Sequence, residues 1–203
     1  MTATAKPFGM LPVRKVGGKP YNGSFTHYNI QNSATGSLFY GDPVQLKSGY
    51  IQVASVGTSS TYIGVFMGCY YTDPTSKTPT WSPYYDAPIS VPGSMNGRPN
   101  PVALVCDDPD TIYKVQANAS VTTQDVGLNF IVTVSAGNTT FGTSRAHLEA
   151  ASRASTINGG IRMVGLYDIP GNYFSNEVTT DLYPIVEVVI VANQHRSAAV
   201  SAP

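Results

Sequence analysis

Short apolar runs, separated by glycine- and proline-rich turns, recur along most of the chain. Residues 128–134 (LNFIVTV) alternate, so that their apolar side chains share one face of a predicted strand. Residues 62–71 (YIGVFMGCYY) and 183–192 (YPIVEVVIVA) are apolar on both faces, which is typical of central strands. Residues 101–106 (PVALVC) and 111–116 (TIYKVQ) are two further predicted strands.

The order strand, turn, strand continues without an intervening helical rhythm, which predicts an all-β fold, a compact β-barrel or sandwich. Residues 144–155 (SRAHLEAASRAS) have helix propensity but no clean 3.6-residue period, so a helix and a strand leading into a loop both remain open. We predict an N-terminal arm over 1–35, one β domain over 36–192 with a surface insertion at 72–101, and a short tail over 193–203.

The N-terminal segment is rich in glycine, proline and cations, and the first acidic residue of the chain is Asp42. This pattern predicts an irregular basic arm that is either a flexible terminus or a segment that docks on a partner. In the docking interpretation the contact residues are Lys6, Phe8, Met10, Leu11, Arg14, Lys15 and Tyr21.

The insertion at 72–101 contains seven prolines, and proline denies hydrogen bonds to a sheet, so we expect a long surface excursion. Trp81, Tyr84 and Tyr85 lie within it. These rings either form a contact surface for a partner or fold back to cover the sheet.

Only 12% of the residues are charged and the formal net charge is zero, so charge gives no attraction to nucleic acid or to an anionic membrane. A surface this poor in charge tends to associate with other surfaces, which favours an assembled protein. We expect no membrane span, because no apolar run approaches about 18 residues. We expect no signal peptide, because the start MTATAKPFGMLPVRK lacks a continuous apolar stretch.

Few residues have the pattern of a catalytic or metal site. His27, His147 and His195 are scattered, and no phosphate-binding or nucleophile motif occurs. Cys69 and Cys106 are predicted to be two buried thiols, with a disulfide or a ligand pair as the alternative. We therefore predict no catalytic residue, no metal and no cofactor.

The segment VCDDPD, at residues 105–110, is the strongest candidate for chemistry, because Asp107, Asp108 and Asp110 lie together. Asp-Pro-Asp between two apolar strands favours a turn over 108–111 that closes a hairpin, since aspartate bonds to its own turn and proline presets φ. A calcium site and a carboxylate-based hydrolase are the alternatives. The turn does not explain Asp107, which we expect to face a cation of a neighbouring subunit.

Several blocks in order resemble structural proteins of tailed bacteriophages that are encoded near the major capsid protein. The resemblance covers roughly residues 36–192 and rests on the order and spacing of the blocks. The blocks are LFYGDPVQL (38–46), IGVFMGCYYTDP (63–74), VALVCDDPDTIYKVQ (102–116), DVGLNF (125–130) and RMVGLYDIPGN (162–172).

This resemblance implies a capsid decoration, or cement, protein. Such a protein binds the outer face of the major capsid protein lattice, often as a trimer, and reinforces the shell through many modest contacts. The resemblance also implies a β core and no enzymatic activity. The protein would be made in the host bacterial cytoplasm and would lie on the outer capsid surface of the virion.

Two other functions remain open. A virion-borne glycan-binding β module, such as a head fibre or an adhesion protein, would use Trp81, Tyr84 and Tyr85 as a stacking platform. A hydrolase would use Asp107 or Asp108, and it would need a second convergent group that the sequence does not indicate.

Overall fold

The computed structural model describes residues 5–31, 36–57, 60–73, 75–86, 101–156, 159–179 and 181–196. Within these ranges the chain consists of β-strands and one short 3-10 helix, Thr123–Asp125, so the all-β prediction is confirmed. The strands are β1 (Leu11–Lys15), β2 (Thr26–Asn29), β3 (Leu38–Phe39), β4 (Pro43–Lys47), β5 (Tyr50–Val53), β6 (Gly64–Thr72), β7 (Pro79–Ser82), β8 (Tyr84–Tyr85), β9 (Val102–Cys106), β10 (Thr111–Gln116), β11 (Asn129–Thr133), β12 (His147–Ala154), β13 (Ile161–Leu166), β14 (Phe174–Ser175), β15 (Val178–Thr179) and β16 (Ile185–Ile190).

Two six-stranded antiparallel sheets form a sandwich-like body. The first sheet has the order β1-β10-β16-β13-β11-β12. The second sheet has the order β2-β9-β6-β4-β5, and β7 pairs with the far end of β6. Two short pairs, β3-β8 and β14-β15, accompany the sheets. The apolar segments 62–71 and 183–192 supply the interior strands β6 and β16, as predicted.

The main core contains side chains from both sheets. Tyr113, Phe130 and Met163 of the first sheet belong to the same buried cluster as Val65 and Leu104 of the second. Fully burying one such side chain contributes roughly 1.5–3 kcal/mol, so this layer holds the two sheets together.

A second core lies on the other face of the second sheet, where Phe66, Val105 and Leu38 are buried together with Tyr85. Because both faces of the second sheet are covered, β6 and β9 need apolar residues at successive positions. The two cysteines are consequently divided between the cores: Cys106 belongs to the main core and Cys69 to the second. Both are free and buried, which confirms the prediction of two buried thiols.

Residues 5–31 do not form the irregular arm that the sequence predicted. β1 pairs with β10 at the edge of the first sheet, and β2 pairs with β9 at the edge of the second. Pro12 is tolerated because β1 is an edge strand with an irregular register between Pro12 and Arg14. Glycine and proline in this segment therefore mark edge strands and turns, and they do not mark an unpaired terminus.

The predicted insertion begins as regular structure. β6 extends to Thr72, β7 returns along it, and β8 pairs with β3. Residues 87–100 lie outside the described residues, as do 197–203 of the predicted tail. Residues 144–155, which were open between helix and strand, contain β12. Across the described ranges, no helix is long and apolar enough to cross a membrane.

Candidate functional site

The segment Asp107–Asp110, here called the aspartate corner, carries the chain from one sheet to the other. β9 belongs to the second sheet and β10 to the first, so the hairpin prediction is wrong. The predicted turn itself is present, because Thr111 N donates to Asp108 O at 3.0 Å. Asp110 N also donates to Asp108 Oδ1 at 2.9 Å, as expected of an aspartate that starts a turn. The sequence pattern is the same for a hairpin and for a turn between sheets, so periodicity could not separate them.

Asp107 is bound by groups of its own chain. Its carboxylate accepts hydrogen bonds from Thr26 Oγ1 at 2.9 Å and Tyr28 OH at 2.7 Å, both on β2. His195 Nε2 lies 3.1 Å from Asp107 Oδ2. The expected cation of a neighbouring subunit is therefore replaced by two hydroxyls and an imidazole of the same molecule. Burial of the Tyr28 hydroxyl, followed by its bond to Asp107, raises the pKa of Tyr28.

The other two carboxylates of the corner have cationic partners. Lys15 Nζ lies 2.6 Å from Asp108 Oδ2, and Arg196 NH2 lies 2.7 Å from Asp110 Oδ1. The Lys15 hydrogen bond, supported by the backbone N–H of Asp110, holds the pKa of Asp108 below its ordinary value. Through these ion pairs and hydrogen bonds, the aspartate corner holds β1, β2 and the segment at 193–196 at the junction of the two sheets.

This arrangement differs from a calcium site. The three carboxylates have different partners, and five of their six oxygens are bound by hydroxyls, a backbone N–H or cationic side chains. A calcium ion needs six to eight oxygen ligands around one point. No group of three or more histidine, cysteine, aspartate or glutamate side chains among the described residues is arranged to hold a metal ion.

Most of the predicted N-terminal contact residues serve the fold. Met10 is fully buried in the main core, and Tyr21 packs against it. Arg14 NH2 lies 2.5 Å from Glu187 Oε2 on β16. Leu11 and Phe8 are partly buried, and only Lys6 has the exposure expected of a contact residue. Arg14 and Lys15 pair with acids that are distant in sequence, Glu187 and Asp108, which the sequence pattern did not indicate.

Trp81, Tyr84 and Tyr85 do not form a shared platform. Tyr85 is buried in the second core, and Tyr84 stacks on Phe39 with ring centroids 5.8 Å apart. Trp81 is 49% exposed and lies on β7 against Gly68. Two of the three rings therefore cover the sheet, and Trp81 is the most exposed of the three.

A group of exposed apolar side chains, which sequence reasoning missed, surrounds the β14–β15 hairpin. β15 contacts the segment before the 3-10 helix, where Thr179 N donates to Val121 O at 2.9 Å. That segment continues to Gly127, whose N–H donates to Met163 O on β13. The six exposed apolar side chains carried by these connected segments are here called the apolar end surface: Val126, Val164, Ile169, Tyr173, Val178 and Leu182.

The signal for this surface is weak in the sequence. Its members are single apolar residues inside polar turns, and isolated apolar residues are normal on protein surfaces. Tyr173 and Leu182 are nevertheless 58% and 60% exposed, which is unusual for side chains of this size in one region. Only the pairing of β15 with the 3-10 helix segment brings them together.

Asp42 is a buried ionisable residue that the sequence analysis did not single out. Ser144 Oγ donates to Asp42 Oδ1 at 2.5 Å, and Phe39 N donates to Asp42 Oδ2 at 2.8 Å. Burial raises the pKa of Asp42 to about 6, although both hydrogen bonds act in the opposite direction. The carboxyl joins the β3–β4 turn to the segment that precedes β12.

No protein-family profile matches the sequence, and comparisons with curated proteins and with solved structures likewise give no match.

Proposed function

We propose that the chain is a structural protein of a bacteriophage virion that decorates the capsid. In this role it binds the outer face of the major capsid protein lattice as an oligomer, with a trimer as the favoured state. The observation that carries the proposal is the apolar end surface on a body otherwise poor in charge. The order of sequence blocks that resembles phage decoration proteins supports the same role.

The physical argument concerns what an assembled protein needs. Exposed apolar side chains, of which Tyr173 and Leu182 are more than half exposed here, gain free energy when a neighbour covers them, at roughly 25 cal/mol per Å² of apolar surface buried. Clusters of such side chains on monomeric proteins mark interaction surfaces. Many copies of a modest contact reinforce a shell, because each additional contact forms within an assembly that is already held together.

The attachment of the edge strands β1 and β2 also supports a reinforcing role. β1 and β2, which hold the N-terminal segment, each pair with a sheet, and the aspartate corner binds them to the junction of the two sheets. Force applied through any of these segments is therefore transmitted to a body with two buried cores.

Deletion with add-back tests the proposal. Three preparations of the phage that encodes this chain are heated in steps and assayed for release of DNA: wild-type particles, particles made without the chain, and particles made without it to which purified protein is added. We expect release at a lower temperature in the deletion particles and recovery when the protein is added. Equal release temperatures in all three preparations would contradict the proposal.

A further inference from the structure

A cationic cleft lies between the N-terminal segment and the connection from β11 to β12. Its volume is about 570 Å³, within the range of roughly 300–1,000 Å³ that ligand sites occupy. The polar side chains that line it are Lys6, Ser135, Asn138, Thr143, Arg145 and His147. Among the described residues that line the cleft, none is acidic.

The cleft brings together two cations that have no acidic partner among the described residues. Arg14, Lys15, Arg153 and Arg196 form ion pairs with acids of the chain. In the described part of the chain, Lys6 and Arg145 have no acidic partner within ion-pair distance, and both side chains line this cleft. Two cations that are uncompensated within the fold thus share one concave surface with a histidine.

Backbone contacts fix the geometry of the cleft. Gly9 N donates to Ala146 O at 3.2 Å, and Lys6 N donates to Gln116 Oε1 at 2.8 Å, so the N-terminal segment is held beside Arg145. Gly9 has a φ of +83°, and an added Cβ would lie 2.6 Å from Gly41 O, so only glycine allows this close approach. The first wall of the cleft is therefore held in place by the fold.

The opposite wall presents hydrogen-bond donors. Asn138 Oδ1 accepts hydrogen bonds from the N–H groups of Thr140 and Phe141. Its Nδ2 group is therefore the one available to donate to a ligand. The hydroxyls of Ser135 and Thr143 add two further donors. His147 Nδ1 lies 3.3 Å from Arg145 O, which leaves Nε2 for a ligand.

We propose that this cleft binds a phosphate group, either as the free ion or as the ester of a small polar molecule. Phosphate carries negative charge and several acceptor oxygens, which match a guanidinium fork, an ammonium group, an amide and hydroxyls. The cleft is larger than one phosphate ion and its lining is polar, so it also has room for a sugar that carries the phosphate. The proposal is independent of the capsid role, because it rests on a different surface.

Isothermal titration calorimetry of the full chain, in a buffer free of phosphate and sulfate, tests the site with three probes. Inorganic phosphate and glucose 6-phosphate distinguish the free ion from the ester, and glucose tests whether the phosphate is needed. We expect at least one phosphate probe to bind, more weakly at higher salt, and glucose alone not to bind. Failure of both phosphate probes at millimolar concentration, or equal binding of glucose, overturns the proposal.

Matched variants locate the binding. Arg145→Gln and Lys6→Gln remove cleft cations at exposed positions, so both are expected to fold, which circular dichroism checks. Lys47→Gln removes an exposed cation of β4 that is not part of the cleft. We expect Arg145→Gln to weaken phosphate binding at least about tenfold, as is typical for loss of a hydrogen bond to a charged group, and Lys47→Gln to leave it unchanged. Equal effects of the two variants would mean that binding depends on the overall charge of the protein, and would contradict binding in the cleft.

Discussion

Tyr28 OH donates a 2.7 Å hydrogen bond to Asp107 Oδ2, and through it the edge strand β2 is held to the junction of the two sheets. The bond is charge-assisted and partly buried, so it is stronger than an ordinary surface hydrogen bond. We expect Asp107→Asn and Tyr28→Phe each to lower the free energy of unfolding by about 1–3 kcal/mol, since each leaves a partner with an unmet bond.

A double-mutant cycle measured by chemical denaturation checks this relationship. The coupling energy between the two substitutions should be about 0.5–3 kcal/mol, the range found for residues in one hydrogen-bond network. Additive effects would contradict a direct bond. They would return Asp107 to the role predicted from the sequence, that of a group facing a neighbouring subunit.

Asp42 should make stability depend on pH in an unusual direction. Its pKa in the folded chain is raised to about 6, above the value in the unfolded chain, so the folded state binds the proton first as pH falls. The stabilisation from this group therefore increases as pH falls from about 7 to about 4. It is lost again as pH rises through 6. Since one pH unit corresponds to about 1.4 kcal/mol, the whole effect is about 3 kcal/mol at most.

Asp42→Asn isolates this effect, because the amide oxygen can still accept from Phe39 N while Nδ2 donates to Ser144 Oγ, a bond of reversed direction, without a buried charge. The variant should be more stable than the parent at pH 7 and equal to it near pH 4, as measured by urea unfolding. Asp73→Asn is the matched control with the opposite sign, because backbone N–H groups of Ser76 and Thr75 lower the pKa of Asp73. A pH-independent difference for Asp42→Asn would rule out the buried ionisable carboxyl.

Gly64 and Gly165 lie in strands, and neither has a positive φ, so an alanine at either position tests only space. A Cβ at Gly64 would lie 2.2 Å from Cys106 O and 2.8 Å from Asp107 Cα, at the start of the aspartate corner. A Cβ at Gly165 would meet nothing within 4 Å. We expect Gly64→Ala to destabilise the fold by about 2 kcal/mol or more and Gly165→Ala to change it little. Thermal unfolding of both variants decides this, and equal melting temperatures would refute the close approach of β6 to the corner.

Leu182 tests the apolar end surface. Leu182→Asn removes an exposed apolar side chain, so the monomer should unfold at an unchanged temperature while binding of the protein to deletion particles decreases. Phe141→Asn is the matched control, because Phe141 is 71% exposed but lies in the turn after Asn138, away from the hairpin. Cosedimentation with the particles measures both variants. Unchanged binding of Leu182→Asn, or an equal loss in Phe141→Asn, would place the contact elsewhere.

The alternation of residues predicted the strands well, because each face of a strand is either buried or exposed. Phe130 and Val132 of β11 are buried as the alternation indicated. β6 and β16 were recognised as interior strands because both of their faces are largely apolar. Gly68, with φ +116°, lies where the register between β6 and β9 shifts.

Contacts between distant segments could not be predicted in the same way. Lys15 and Asp108 are joined by the pairing of β1 with β10, and Arg14 reaches Glu187 on the next strand of that sheet. The sequence shows the cations and acids but not their pairing, so an edge strand resembled a free basic arm. The same limit applies to the cleft, because Lys6 and Arg145 are far apart in the chain and meet only through the fold.

A cryo-EM map of the intact particle of the phage that encodes this chain tests the capsid role most directly. We predict ordered density on the outer face of the capsid lattice that fits the two-sheet body, with the apolar end surface against a neighbouring subunit. A well-resolved shell whose outer face carries no such density would contradict the account.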